Sequence, residues 1–133
     1  ASLIHINLRN GKLTTARAGH FPVMIITKDG KVIRLNSHGK IIMSLKKPDA
    51  EEVEYRLQPG DRIVVYTDGI IEAHGHNSYN LFSEEKMIQM LLESNHVDIH
   101  ILAEQIFQAV VEYSGGLKFL DDDLTFVLME YTP

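Results

Sequence analysis

The chain has 133 residues, enough for one domain with a substantial apolar core. Its 13 Lys and Arg against 18 Asp and Glu give a net charge of -5, which argues against nucleic-acid binding because that function needs clustered positive charge. It has no cysteine, so disulfides, thiolate nucleophiles and Cys-ligated metals are excluded. No apolar run approaches the ~20 residues of a membrane span and no signal peptide is visible, so we expect a cytoplasmic protein or a soluble cytoplasmic part of a larger one.

The first third of the chain predicts four strands joined in two hairpins. Alternating apolar residues over 3–8 indicate a half-buried strand, and the Asn10-Gly11 turn leads into a return strand over 12–18. A second pair, 23–27 and 32–35, is joined by a turn containing Asp29-Gly30. A polar loop over 36–40 follows, and the apolar run 41–45 fits either a strand or a buried loop.

The next predicted strand covers 52–57, and we expect it to pair across Pro59-Gly60 with a strand that starts at Ile63. The antiparallel strands would then form a meander of about six strands, a usual size for one sheet. The apolar run from Ile63 to Tyr66 is rich in β-branched residues and too short for a helix, which is typical of a strand buried on both faces.

Asp68-Gly69 stands where that buried strand should end. A carboxylate fixed there, beside a glycine that lets another group approach closely, suits a cation. The alternative is a plain turn, since Asp-Gly is a common turn dipeptide.

Two helices and a closing strand follow. Ser83 is expected to cap the first helix, whose buried residues would be Met87, Met90, Leu91 and Leu92. Asp98 would cap the second helix and Gly115-Gly116 would end it, with an apolar stripe at helical spacing formed by Ile99, Leu102, Ile106, Val110 and Tyr113. A last strand over 124–129 completes an α+β domain, because the helices are segregated after the strands.

A second acidic feature, Asp121 to Asp123, precedes the last strand. If that strand is the antiparallel neighbour of the one ending at Tyr66, Asp68 and the acidic run lie at one edge of the sheet, where carboxylates suit Mg²⁺ or Mn²⁺. The alternative is a solvated charged turn. His74-Gly75-His76 is interpreted as a polar loop, because no third metal ligand stands at a recognisable spacing.

Four stretches in this order resemble a known family: Ala18-Gly19-His20-Phe21-Pro22, the segment 60–73 around Thr67-Asp68-Gly69, Leu81-Phe82-Ser83-Glu84-Glu85-Lys86-Met87, and Asp122-Asp123-Leu124-Thr125. The chain is similar to the metal-dependent (type 2C) serine/threonine protein phosphatases. Within them it resembles the bacterial branch of the sporulation stage II E phosphatase and the stress-response sigma-factor regulators.

The resemblance implies an α-β-β-α sandwich with two Mn²⁺ or Mg²⁺ ions, which activate a water for attack on phosphoserine or phosphothreonine. It assigns metal binding to Asp68 and Asp122. The register of the second motif depends on Thr125, so Asp121 remains the alternative ligand.

Three departures from the family pattern qualify this interpretation. The family's first half, with further metal-binding aspartates, has no counterpart here, so we interpret 1–133 as the C-terminal portion of a single phosphatase domain. On its own this chain is expected to be inactive and to self-associate, because half a sandwich leaves apolar surface uncovered. Ser83 also replaces a glycine, and Ile42-Met43-Ser44 replaces a Pro-Leu-Gly-like stretch.

The resemblance therefore predicts a signal-transduction phosphatase attached to a sensor or receiver region, with a phosphorylated anti-anti-sigma-type regulator as its substrate protein. A catalytically silent, partner-binding module of the same fold is the main alternative. An unrelated β-rich binding domain with Asp-Gly turns is the third.

Overall fold

The computed structural model describes residues 2–17, 19–36 and 51–133. Its helices and strands confirm the mixed α+β class, with antiparallel sheets. The strands are β1 (Ser2–Asn7), β2 (Lys12–Arg17), β3 (Val23–Ile26), β4 (Val32–Leu35), β5 (Glu52–Arg56), β6 (Arg62–Tyr66) and β7 (Phe126–Glu130). The helices are α1 (Asp68–Ile71), α2 (Glu84–Glu93) and α3 (Ile99–Tyr113), with a short 3₁₀ helix at Leu117–Phe119. The run 41–45, the Ile42-Met43-Ser44 departure and Ala18 lie outside the described residues.

The strands form two sheets, with strand orders β1-β2-β5 and β4-β3-β6-β7. Both predicted hairpins are confirmed: β1 pairs antiparallel with β2 and β3 pairs antiparallel with β4. Gly11 and Gly30 take positive φ angles of 68° and 80° in the two turns, a conformation that glycine adopts without steric penalty.

The predicted pairing of β5 with β6 across Pro59-Gly60 is wrong. β5 pairs with β2, and β6 pairs with β3, so the six strands do not form one meander. The backbone between β5 and β6 is satisfied elsewhere: Leu57 N–H donates to the Gly11 carbonyl and Gly60 N–H to the Tyr131 carbonyl, both at 2.9 Å. The segment therefore crosses from one sheet to the other instead of closing a tight hairpin.

The chain separates into two compact units, which we call the strand unit (Ala1–Val65 with Met129–Pro133) and the helix unit (Tyr66–Leu128). In the strand unit, side chains from both sheets share one apolar core, which makes this unit a β-sandwich. Its buried members are Leu13, Val23, Ile25, Leu35, Leu57, Ile63 and Tyr131.

In the helix unit, α2 packs against α3. The predicted stripes are confirmed at their centres, since the buried residues are Met87, Leu91, Leu102, Ile106 and Val110. Both predicted ends of α3 are also confirmed. The Asp98 carboxylate accepts the backbone N–H groups of His100 and Ile101, and Gly116 N–H donates to the Val111 carbonyl at 2.9 Å, which closes the helix end.

Ser83 stands at the predicted N-cap position of α2, but its side chain makes no capping hydrogen bond. The reason is its backbone, which has a φ of 70°, in the left-handed region that favours glycine. This conformation accounts for the glycine that the resembling family has at this position. Within the described part of the chain, no helix is long and apolar enough to cross a membrane.

Candidate functional site

Asp68 lies at the surface, two residues after the end of β6. Ile63, Val64 and Tyr66 are almost completely buried, and the strand ends at Tyr66. Thr67 is the N-cap of the single-turn helix α1, and Asp68 is its first residue. The Asp68 side chain is exposed, and its Oδ1 accepts the N–H of Gly69 at 3.1 Å.

The acidic run lies beside this segment in the helix unit. Thr67 N–H donates to the Thr125 carbonyl at 3.0 Å, and Thr125 N–H donates to the Thr67 hydroxyl oxygen at 3.1 Å. The Thr67 hydroxyl also lies 3.3 Å from the Asp123 carbonyl oxygen, to which it donates. The end of β6 therefore meets the start of β7, as the sequence predicted for neighbouring antiparallel strands.

Gly69 allows the two segments to come this close. A Cβ atom built on Gly69 would lie 2.5 Å from the Asp123 carbonyl oxygen and 3.1 Å from its carbon. Real Cβ atoms essentially never approach another atom to 2.5 Å, so any other residue would force the backbone apart. The close approach expected at this glycine is thus made by the backbone of the acidic run itself.

Asp121, Asp122 and Asp123 are all exposed. Asp122 Oδ1 accepts the N–H of Asp123 at 2.7 Å. A cavity of about 250 Å³ is lined by Asp122 and Asp121 together with Gly69, Glu72, Ala73 and His74. Asp122, to which the resemblance assigns metal binding, and Gly69, which follows Asp68, therefore line the same cavity.

His74 is a further residue of this site, and the sequence did not indicate its contact with the acidic run. Its Nδ1 lies 3.0 Å from Asp121 Oδ2, although the two residues are 47 positions apart. The segment after it is a loop, as predicted, in which His76 packs against the Phe119 ring with 5.4 Å between ring centroids. No local pattern could have indicated the His74–Asp121 contact, because it depends on which strand follows Asp121 and where that strand pairs.

The surroundings of this site are fixed by contacts between secondary-structure elements. The buried Tyr66 hydroxyl donates to the Glu84 carboxylate in the first turn of α2. Tyr113 of α3 donates to the carbonyls of Asn80 and Leu81 at 3.2 Å, and the Lys86 ammonium lies 3.8 Å from the Tyr113 ring centroid. The loop that carries His74 is thereby held on α3, which is itself in contact with α2 through Lys86.

Carboxylate oxygens are ligands that Mg²⁺ and Mn²⁺ prefer. Across residues 2–17, 19–36 and 51–133, however, no three His, Cys, Asp or Glu side chains come together in a way that could hold a metal ion. The donor chemistry of Asp68 and Asp122 fits such a cation, and these residues would supply part of its coordination.

Comparison with known proteins places the chain in a family. The model of the stage II sporulation protein E (SpoIIE) family matches residues 1–132. Phosphoserine phosphatase RsbU of Bacillus subtilis (strain 168) is 27% identical over 128 residues, which cover 92% of this chain and 36% of RsbU. The chain therefore spans about a third of the length of this curated relative.

Solved structures agree on the fold. The SiaA-PP2C domain of Pseudomonas aeruginosa has a TM-score of 0.78 at 19% identity, with 98% of this chain and 51% of that chain covered. The Mn-presoaked phosphatase domain of SpoIIE from Bacillus subtilis has a TM-score of 0.72 at 24% identity, with 100% of this chain and 57% of that chain covered. From the match over 1–132 and this shared architecture, we conclude that the chain belongs to the SpoIIE family of PP2C-type phosphatases.

Proposed function

We propose that this chain is the C-terminal portion of a metal-dependent protein serine/threonine phosphatase domain, which hydrolyses phosphoserine or phosphothreonine. The observation that carries the proposal is that Thr67-Asp68-Gly69 lies against the acidic run. Thr67 is hydrogen-bonded to Thr125, and Gly69 lies close to the backbone of Asp123. The name of the relative RsbU, a phosphoserine phosphatase, supports the same reaction class.

In this proposal, Asp68 and Asp122 are the ligands that this chain supplies to Mn²⁺ or Mg²⁺. Bound ions would lower the pKa of a water molecule and offset the charge that develops on the phosphoryl oxygens. The chain's own residues do the positioning: exposed carboxylates carry the negative charge that a hard cation needs, and Gly69 keeps the two segments in contact. Further carboxylates for two ions would come from the part of the domain that resembles the family's first half.

The substrate that we propose is a phosphorylated regulator of the anti-anti-sigma type, with control by an attached sensor or receiver region. Support for this partner comes from the family branch to which the chain belongs. On its own, the chain would be inactive, because two carboxylates do not offset the charge of two divalent ions.

The test is Mn²⁺-dependent hydrolysis of a phosphoserine peptide by the full-length protein that contains this chain. Asp68→Asn and Asp122→Asn should each lower turnover by about 100-fold, since each keeps the side-chain shape but removes a charge that holds the cation. Asp123→Asn is the matched control, because it makes the same change in the same acidic run at a residue that is not assigned to the metal, and it should retain activity. Unchanged turnover of Asp68→Asn at limiting Mn²⁺ would exclude Asp68 as a ligand.

A catalytically silent, partner-binding module of the same fold is the second candidate. It is favoured by one observation, namely that the described residues contain no group of three metal-ligating side chains. For such a module, the full-length wild-type protein would show no Mn²⁺-dependent hydrolysis. Mn²⁺-dependent hydrolysis by the wild-type protein excludes it.

A further inference from the structure

We infer that His74 is a positioning residue for the candidate metal site: it holds the carboxylate of Asp121 and so leaves Asp122 as the ligand of the acidic run. This inference rests on the proposed function. It also distinguishes Asp121 from Asp122, the two aspartates between which the motif register alone does not decide.

His74 Nδ1 and Asp121 Oδ2 are 3.0 Å apart, with side-chain exposures of 50% and 71%. A neutral imidazole with its hydrogen on Nδ1 can donate this bond, and so can a charged one. Exposed pairs of this kind contribute little to folding stability, so stability does not account for this contact.

The backbone of His74 is itself fixed by hydrogen bonds. His74 and Leu81 form an isolated antiparallel bridge. Next to it, Gly75 N–H donates to the Asn80 carbonyl at 2.9 Å and Phe82 N–H donates to the Ala73 carbonyl at 2.8 Å. An imidazole on a backbone held from both sides can define where its partner carboxylate lies.

The acidic run is held on both sides of Asp122. His74 contacts Asp121 on one side, and Thr67 and Gly69 contact the Asp123 carbonyl on the other. All of these contacts come from the segment 67–74, which also carries Asp68. One short segment therefore presents the first candidate ligand and fixes the backbone around the second, while the Asp121 carboxylate is engaged with His74. Partners that orient a ligand in this way typically change metal affinity by 10–100-fold when they are removed.

The experiment measures Mn²⁺ affinity by calorimetry in the full-length protein that contains this chain. His74→Ala and Asp121→Ala should each weaken binding by about tenfold, at the low end of that range because the pair is exposed. The double variant should be no weaker than either single variant, since both remove the same interaction. His76→Ala, a histidine on the same loop that packs against Phe119, is the matched control and should bind as the wild type does.

Three further measurements separate positioning from a structural role. Asp121→Asn should bind Mn²⁺ nearly as the wild type does, because its amide oxygen still accepts the His74 hydrogen bond. Thermal melting of His74→Ala should match the wild type. In a long-range ¹H–¹⁵N spectrum, the Nδ1 resonance of His74 should shift in Asp121→Ala.

Several results would overturn the inference. Wild-type affinity in His74→Ala would show that the contact positions nothing. Additive losses in the double variant, or a loss in Asp121→Asn as large as in Asp121→Ala, would show that Asp121 is itself the ligand. Absence of Mn²⁺ binding by the wild-type protein would instead overturn the proposed function, and the inference with it.

Discussion

Two aspartates flank β6, and they differ in burial and in the hydrogen bonds that they accept. Asp61, just before the strand, is 2% exposed and accepts three donors: Gln58 N–H at 2.8 Å, and Lys28 N–H and the Tyr55 hydroxyl at 3.4 Å. Asp68, just after the strand, is exposed, and its hydrogen bond in the described structure comes from the N–H of Gly69. The acceptor positions of Asp61 are thus occupied by the protein, whereas those of Asp68 face solvent.

Other charged groups of the two units show the same contrast between buried, paired groups and exposed ones. In the strand unit, the buried Arg62 is paired with Glu130 through two nitrogens, each 2.9 Å from the same carboxylate oxygen. In the helix unit, the acidic run stays exposed. Buried charges that are fully paired serve the fold, while exposed carboxylates gathered at a strand junction are available to a ligand.

The largest expected effect is on Asp61. Asp61→Ala should lower the free energy of unfolding by about 3 kcal/mol, because it leaves the N–H of Gln58 without its charged acceptor in a buried site. Asp68→Ala should change it by less than about 0.5 kcal/mol, as expected for an exposed side chain. Urea denaturation followed by circular dichroism measures both. Equal losses for the two variants would remove the distinction between a structural and a ligand-binding aspartate.

A smaller effect is expected at Gly69. Gly69→Ala should lower the free energy of unfolding by about 2 kcal/mol, because its Cβ would meet the backbone of Asp123. It should also weaken Mn²⁺ binding in calorimetry, since it forces the two acidic segments apart.

Gly30→Ala is the control for that prediction. Gly30 has open space around its Cβ but a φ of 80°, so alanine there should lower stability by about 1 kcal/mol through backbone strain alone. Mn²⁺ affinity should be unaffected by this variant. Mn²⁺ binding by Gly69→Ala that equals the wild type would show that the contact with Asp123 does not organise the site.

Local patterns predicted much of the fold, and long-range pairing accounts for what they missed. The hairpins at Gly11 and Gly30 and the cap at Asp98 depend on residues a few positions apart, and all three are confirmed. The partner of β5 depends on the shared core of two sheets, which a turn at Pro59-Gly60 does not reveal. The capping failure of Ser83 follows from a left-handed backbone that no serine pattern indicates.

The candidate site shows the same limit. Asp68-Gly69 could be singled out because it directly follows a buried strand, and Asp122 because its motif resembles one in a family. The roles of His74 and Asp61 could not be predicted from the sequence. Both depend on contacts with residues distant in the chain, and that of Asp61 also depends on its burial in this fold. The one local sign at Asp61 is its place in the turn Gln58-Pro59-Gly60-Asp61, where Asp61 N–H donates to the Gln58 carbonyl at 3.0 Å.

The smallest expected effect concerns Tyr55, whose hydroxyl donates to Asp61. Burial of the phenol, followed by the negative charge of Asp61 and their hydrogen bond, raises the pKa of Tyr55 above its usual value of 10.0. A group with a raised pKa in the folded state stabilises the fold fully below its unfolded pKa, and this contribution is lost as pH rises through the folded pKa. Stability should therefore fall as pH rises above about 10. Urea denaturation between pH 8 and 11 should show that slope in the wild type and a flatter one in Tyr55→Phe.

In Asp61→Ala, absorbance at 295 nm should show Tyr55 ionising at lower pH than in the wild type, because the neighbouring charge is gone. If the Tyr55 titration is the same in both proteins, the Asp61 carboxylate does not act on the phenol, and the assignment of Asp61 as a charged, buried acceptor fails.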